Sequence, residues 1–418
     1  MSNLFDVAII GGGPAGMMAG ISAKNSGNKI CILEKNSSLG KKLLLTGRGR
    51  CNLTTSKEIP EIINAFGPKG KFLYGALTRF SNKDLINFFE SRKVKTKIER
   101  GGRVFPESNK SITILKCLKN ELKKRKISLY FNFDVKTVTK KSSCFYISSK
   151  LQTIKANKII IATGGKSYPE TGSTGDGYKF AKILGHKITK AKPALVGLIV
   201  KNKKINSLAG LSLKNISIYF LTDKGVFIKE FGEMLFTHKG ISGPCVLKAS
   251  KDVYENLESQ KEVFAKIDLK PGLDRKKLKQ RIHREISKSP KKEYQSLLKT
   301  LLPRLMINYA IHKTSIDKHK KTSQLNKPEI QRLIEFLKDL HFKIHATESL
   351  KKAIITNGGV NINEINSKNM QSKKVKNLFF AGEIINLAGP TGGYNLQKAF
   401  STGWVAGKSA GVTKLLPI

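Results

Sequence analysis

Arg48-Gly49-Arg50-Cys51-Asn52 sets two guanidiniums, a thiol and a carboxamide side by side in a glycine-containing stretch that begins at Thr46-Gly47. The arginines suit the neutralisation of a diphosphate or a substrate phosphate, and glycine lets the backbone come close to it. Cys51 has two readings. Adding hydride to one carbon of a double bond requires an acid for the other, and a thiol of ordinary pKa about 8.5 keeps its proton at neutral pH. It also serves as a small packing residue. His238 sits in Phe236-Thr237-His238-Lys239-Gly240-Ile241-Ser242-Gly243-Pro244, whose Gly, Ser and Pro content marks a shaped loop. It competes with Cys51 as proton donor, against the plain reading of a satisfied structural histidine. Tyr394, in Thr391-Gly392-Gly393-Tyr394-Asn395, is the next candidate donor. The five cysteines are odd in number and lack C-x-x-C spacing, so neither a disulfide framework nor a metal site is expected.

These loops need elements to hold them. Asp6 to Ile10 is a β-branched run breaking into Gly11-x-Gly13-Pro14-Ala15-Gly16, and Met17 to Asn25 reads as a helix of small residues. Lys29 to Leu33 then ends in Glu34, which completes a βαβ unit. In such a unit the glycines admit a dinucleotide diphosphate to the helix N-terminus, and the carboxylate takes hydrogen bonds from both ribose hydroxyls. Two further strands end in turns suited to a ligand: Lys158 to Ala162 before Thr163-Gly164-Gly165, and Asn377 to Ala381 before Gly382-Glu383. The second leads through Gly389-Pro390 and Thr391 to Asn395 into a small-residue helix, Ala399 to Ala410. A carboxylate there can meet a flavin's ribityl and phosphate region, and the glycines let N–H groups reach the flavin O2 edge. A nicotinamide dehydrogenase does not need this second element, so FAD is the expected cofactor. Only one Gly-x-Gly-x-x-Gly is present, which makes NAD(P)H a transient electron donor.

Taken together, Gly11 to Gly16, Leu39-Gly40-Lys41-Lys42, Thr46 to Asn52, Ala162 to Gly165, Phe236 to Pro244, Thr356-x-Gly358-Gly359-Val360 and Gly382-Glu383…Thr391 to Asn395 resemble the BaiN/RdsA flavoprotein family over essentially the whole chain. The chain departs from many relatives at Asn386 and Pro390. The resemblance implies an α/β fold: a two-dinucleotide-binding-type, Rossmann-like FAD domain with inserted antiparallel β-barrel and helical domains. With the motifs it assigns to the cofactor Gly11, Gly13, Pro14, Ala15, Gly16, Glu34, Lys35, Lys42, Arg48, Arg50, Cys51, Asn52, Thr163, Gly164, Gly165, Gly382, Glu383, Gly392, Gly393, Tyr394 and Asn395.

Segment texture divides the chain in the same way. Residues 1–190 and 354–418 form the two parts of the FAD domain. Short alternating segments over 191–271, completed by 341–353, read as the β module, and 272–340 shows helical periodicity with Leu278, Ile282, Ile286 and Leu297 to Leu305 on its apolar face. No apolar stretch nears the length of a membrane span and no basic leader opens the chain, so a cytoplasmic protein is expected.

Charge suggests the partner. Lys and Arg number 77 against 30 Asp and Glu, a net +47, which fits either a polyanionic partner or an AT-rich genome's lysine excess. Residues 270–327 hold seventeen basic and four acidic side chains, with Tyr294 and Tyr309 the candidates for stacking on bases. Members of the resembled family reduce a uridine of large-subunit ribosomal RNA, so an NAD(P)H- and FAD-dependent ribosomal RNA dihydrouridine synthase is the expected function, with ribosomal RNA as partner and no stable protein partner. The alternatives are an ene reductase of steroid-like enones, also implied by the resemblance, and a non-catalytic flavin-bound RNA-binding assembly factor.

Overall fold

The computed structural model describes residues 4–25 and 27–412. They form two compact units, the first made of those up to 192 together with those from 350 onward, the second of residues 193–349.

The first unit is built on a mixed sheet. Its parallel strands run in the order Ser128–Tyr130, Ile30–Leu33, Leu4–Ile10, Thr153–Ile161, and the hairpin Cys144–Ser148 and Thr137–Lys141 extends it antiparallel. Leu378–Phe380 pairs in parallel with the end of Thr153–Ile161. Ile30–Leu33 and the C-terminal ends of its neighbours, Val7 to Ile10 and Ile159 to Ile161, are wholly apolar and buried, as expected for parallel strands covered on both faces. Register aligns the strand ends. Ile10 pairs with Leu33 and with Ile161, and Ile161 with Phe380, so four strands end in one row. Gly11, Glu34, Ala162 and Ala381 therefore leave the sheet along the same edge, where open α/β sheets bind their ligands.

Two helices start from that edge. Pro14–Ala23 and Tyr394–Gly411 pack backbone to backbone, because Gly403, Gly407 and Gly411 recur every four residues opposite Ala15, Ala19 and Ala23. A Cβ at those glycines would stand 2.4, 2.2 and 2.2 Å from the respective alanine carbonyl oxygens. Any larger residue would wedge the pair apart.

The second unit carries seven antiparallel strands, ordered Leu340–Ile344, Val263–Asp268, Ser212–Thr222, Gly225–Thr237, Gly240–Ser242, Leu198–Ile199, Ala346–Thr347. Its outermost strands are separated in sequence by His345 alone, whose N–H donates to the Ile199 carbonyl at 2.9 Å. The sheet must roll up for one chain segment to serve both edges, which makes it a barrel. Two expectations change here. The segment 191–271 is not all strand: Pro244–Glu258 is a helix, started by Pro244 and burying Cys245, Val246, Ala249 and Val253. The helices Arg275–Lys288, Tyr294–Leu301, Arg304–Thr314 and Lys327–Lys338 share one core with the strands, Tyr309 lying 6.4 Å from Phe342 between ring centroids. One unit thus takes the place of separate β and helical domains.

Candidate active site

At the sheet edge, Glu34 is 7% exposed, and its carboxylate accepts the Gly12 N–H at 2.7 Å and both the Asn36 N–H and side-chain amide, at 2.8 and 2.7 Å. The acid is thereby locked beside the glycine turn. The glycines of that turn divide by role. A Cβ on Gly16 would sit 1.9 Å from the Gly11 carbonyl oxygen, whereas one on Gly13 would meet nothing within 4 Å. Gly16 is needed for packing, and Gly13 fronts open space ahead of a helix N-terminus with no side-chain cap. That is the cradle a diphosphate requires, so these residues fit a dinucleotide.

The second cluster centres on Glu383. Its carboxylate accepts from Lys42 Nζ at 2.8 Å, the Thr356 N–H at 2.8 Å and Ser167 Oγ at 3.1 Å, and Lys42 Nζ also reaches Ser167 Oγ at 2.6 Å. Burial pushes the carboxyl up, but Lys42, the Thr356 N–H and the nearby Lys398 charge outweigh it and hold it below the usual carboxylate range. Gly165 has no Cβ because Thr356 Oγ1 and Glu383 Oε1 lie 2.4 and 2.9 Å from where it would be. Sequence reasoning misses Ser167 and Lys398, and it reaches Thr356 only as part of a shared motif. Of the three, Thr356 alone carries a signal, its place next to Gly358-Gly359.

The loop after Gly382 is fixed by its own side chains. Asn395 Oδ1 accepts the Gly389 N–H at 2.9 Å, while its amide donates to the Gly389 and Pro390 carbonyls at 2.8 and 3.0 Å. Asn52, with its amide oriented to satisfy both partners, donates to the Thr54 carbonyl at 3.1 Å and accepts the Gly393 N–H at 3.2 Å. Tyr394, half-buried, leads the uncapped helix and packs edge-on to Phe66. Gly392 and Gly393 precede it with φ of 118° and 96°.

Several assigned residues stand elsewhere. Lys35 is taken by Asp176 at 2.7 Å and Asp134 at 3.3 Å. Arg50 bonds Glu99 and Asn109 and stacks on Phe105 at 4.1 Å, which makes it a clamp on the 96–109 hairpin rather than a phosphate ligand. Arg48 is exposed. Cys51 is 0% exposed, so no cofactor or substrate atom can touch it, and burial pushes its thiol up to about 12 against a Thr46 hydrogen bond. That removes it as both contact and acid. The Thr163 hydroxyl turns under the Asp176–Ile183 helix, against Gly177, and has no hydrogen-bond partner among the described residues. Ala15, Gly16, Gly165 and Gly382 are buried and shape the turns from beneath. Pro14 and Gly164 remain partly exposed at the edge. His238 is exposed in the two-residue turn between Gly225–Thr237 and Gly240–Ser242 of the second unit. Tyr294 and Tyr309 are 0% and 4% exposed, so neither can stack on a base.

The sequence profile of the HI0933-like protein Rossmann domain matches residues 5–409. The chain belongs to that family. It is 31% identical over 406 residues to the 3-dehydro-bile acid delta(4,6)-reductase of Clostridium scindens, covering 97% of this chain and 98% of that one. It is 29% identical over 400 residues to the ribosomal RNA dihydrouridine synthase of Escherichia coli, covering 96% of each. Among solved structures, the 3-ketosteroid-delta4-(5alpha)-dehydrogenase of Rhodococcus jostii superposes with a TM-score of 0.53 at 15% identity, over 98% of this chain and 97% of the other. At that identity the likeness speaks for the fold. In this HI0933-like chain no described helix is long and apolar enough to cross a membrane.

Proposed function

We propose that the protein is an FAD-dependent oxidoreductase that reduces the C5–C6 bond of a uridine in large-subunit ribosomal RNA with electrons from NAD(P)H. Glu34 would hold the adenosine ribose, Gly13 and the Pro14–Ala23 N-terminus the diphosphate, and Glu383, Gly392 and Gly393 the flavin side. FAD held by these residues would supply two-electron chemistry, accepting hydride from a nicotinamide and delivering it to C6. With Cys51 sealed off, the proton for C5 falls to Tyr394 or His238.

The observation that carries RNA as substrate is the exposed face of Arg275–Lys288. Leu278 and Ile282 anchor that helix, Arg275 is paired with Asp339 and Lys288 with Glu285, yet Lys276, Lys277, Lys279 and Arg284 have no ion pair among the described residues. Unpaired cations on one helix face suit a phosphate backbone. The name of the E. coli relative agrees with this reading. Reduction of a small enone is the second reading, favoured by the C. scindens relative.

Anaerobic protein reduced with NAD(P)H and mixed with ribosomal RNA or a steroid enone separates them. Reoxidation by RNA with dihydrouridine formed supports the first, reoxidation by the enone alone supports the second, and reoxidation by neither sinks both.

A further inference from the structure

Lys398 is 1% exposed, the most buried of the described lysines and arginines. It lies in the first turns of Tyr394–Gly411, a helix that otherwise buries mainly small residues, Gln397 and Phe400. An ammonium carries three donor hydrogens, and here Nζ donates to the Leu387 carbonyl with no carboxylate at ion-pair distance among the described residues. Glu383 acts on it from the 382–384 turn, but that carboxylate is already engaged by Lys42, Ser167 and Thr356. Lys42, from the Lys41–Leu45 helix, repels it. Of the other elements packed on its helix, Pro14–Ala23 carries no titratable side chain, Lys158 of Thr153–Ile161 bonds the Ala410 carbonyl at the far end of the helix, Asp6 of Leu4–Ile10 accepts the Lys29 N–H, and in Tyr74–Arg79 Tyr74 is exposed while Arg79 bonds the Lys368 carbonyl. Lys83 and Asp84 of Asn82–Glu90 are taken by Glu58 and Ser81, and Glu90 by Thr96.

When Lys398 is protonated the cluster therefore holds two cations and one carboxylate. A buried charge without a counter-ion is unfavourable, and burial pulls the amine down to about 8, with Glu383 pulling the other way and Lys42 adding to the fall. Leu387 belongs to the segment, residues 382–395, that would hold the flavin. What the cluster lacks is negative charge arriving from that side.

We propose that Lys398 is a redox-linked proton site, whose amine takes a proton from water when negative charge builds on the cofactor held by the 382–395 segment and releases it on reoxidation. The proposal rests on the reading of the site as an FAD site. When two electrons and one proton enter the cofactor, its charge becomes one unit more negative. A second proton turns the Lys398 amine into ammonium, so the charge of cofactor and cluster together is unchanged. The electrons come from a nicotinamide in turnover and from dithionite in a reductive titration.

The midpoint potential of the bound flavin, measured against pH with dithionite as titrant, counts the protons taken up. Between pH 9 and 10 the parent should show about two protons per electron pair, because the oxidised protein holds the amine largely neutral there. Lys398→Met should show about one, as should Lys398→Arg, whose charge is permanent. A one-proton slope in the parent, or a two-proton slope kept by either variant, overturns the proposal while leaving the cofactor reading intact. A parent protein that binds no flavin overturns the cofactor reading and the proposal with it.

Discussion

Lys42 and Glu383 lie 341 residues apart in sequence and meet at 2.8 Å. The pair ties the segment after the glycine turn to the segment beyond the Leu378–Phe380 strand. Glu383→Gln keeps the shape and removes the charge, leaving Lys42 and Lys398 without a carboxylate. The expected loss is about 2 kcal/mol in stability, the usual worth of hydrogen bonds to a charged group, with weakened FAD binding. Because the carboxyl is held below its ordinary range, this advantage is fully present above about pH 4.3 and fades as pH falls through the lowered folded-state value. Melting curves of parent and variant at pH 7 and in acid check it.

The glycine turn gives a separation of folding from binding. Gly13→Val should fold, since its φ of −79° and ψ of −175° suit a β-branched residue and its Cβ direction is open, yet it should fail to hold FAD. Gly16→Ala should lose stability by about 2 kcal/mol or more, because its Cβ meets the Gly11 carbonyl. Bound flavin per protein and melting temperature together test both, and a yellow Gly13→Val protein would place the diphosphate elsewhere.

If the insert grips RNA through phosphates, changing Lys276, Lys277 and Lys279 to Gln should reduce the slope of log affinity against log salt by about 2 to 3. Flavin reduction by NAD(P)H should be untouched. An unchanged slope would send the RNA contact to another face.

The proton donor can be found by single-turnover reoxidation. Cys51→Ala should reoxidise at the parent rate, since the thiol reaches no ligand. Tyr394→Phe or His238→Ala should slow uracil reduction by about 100- to 10,000-fold, the range of general acid catalysis, with FAD content preserved. Parent rates in both would move the donor to a bound water.

Lys398 should also shape the pH profile of stability. Folding lowers this amine to about 8, so the unfolded chain binds the extra proton between pH 8 and about 10.4. The penalty is complete below pH 8 and lifts as pH rises through that window, by about 3 kcal/mol at most. Chemical denaturation at pH 7.5 and 10 should show the rise in the parent and a flatter profile in Lys398→Met.

The strands and glycine turns were legible because a buried parallel strand must be apolar along its length and a diphosphate turn must lack side chains. Glu34 was legible from its place at a strand end. Arg50, Lys35 and Cys51 were not, since Arg50 finds Glu99 and Asn109, and Lys35 finds Asp176, only through tertiary packing, and Cys51's burial depends on what closes over its loop. Lys398 was hidden for a related reason: a lysine in a helix normally faces water, and here the small residues around it bury both faces. The Pro244–Glu258 helix did leave a sign, proline at a helix start with apolar residues at helical spacing behind it, inside a stretch dominated by strand patterns.

The glycine seam between Pro14–Ala23 and Tyr394–Gly411 bears on biosynthesis. Asn25 donates a hydrogen bond to Gly411 across 386 residues, so Pro14–Ala23 waits for a segment made much later before its partner surface exists. During translation the opening βαβ unit exposes Ala15, Ala19 and Ala23 for the time needed to polymerise everything between them, tens of seconds at ordinary elongation rates of about 5–20 residues per second. Nascent chains stalled short of Gly403 should therefore stay colourless and open to protease near the first helix. On this account FAD capture should follow the emergence of the whole inserted unit from the ribosome.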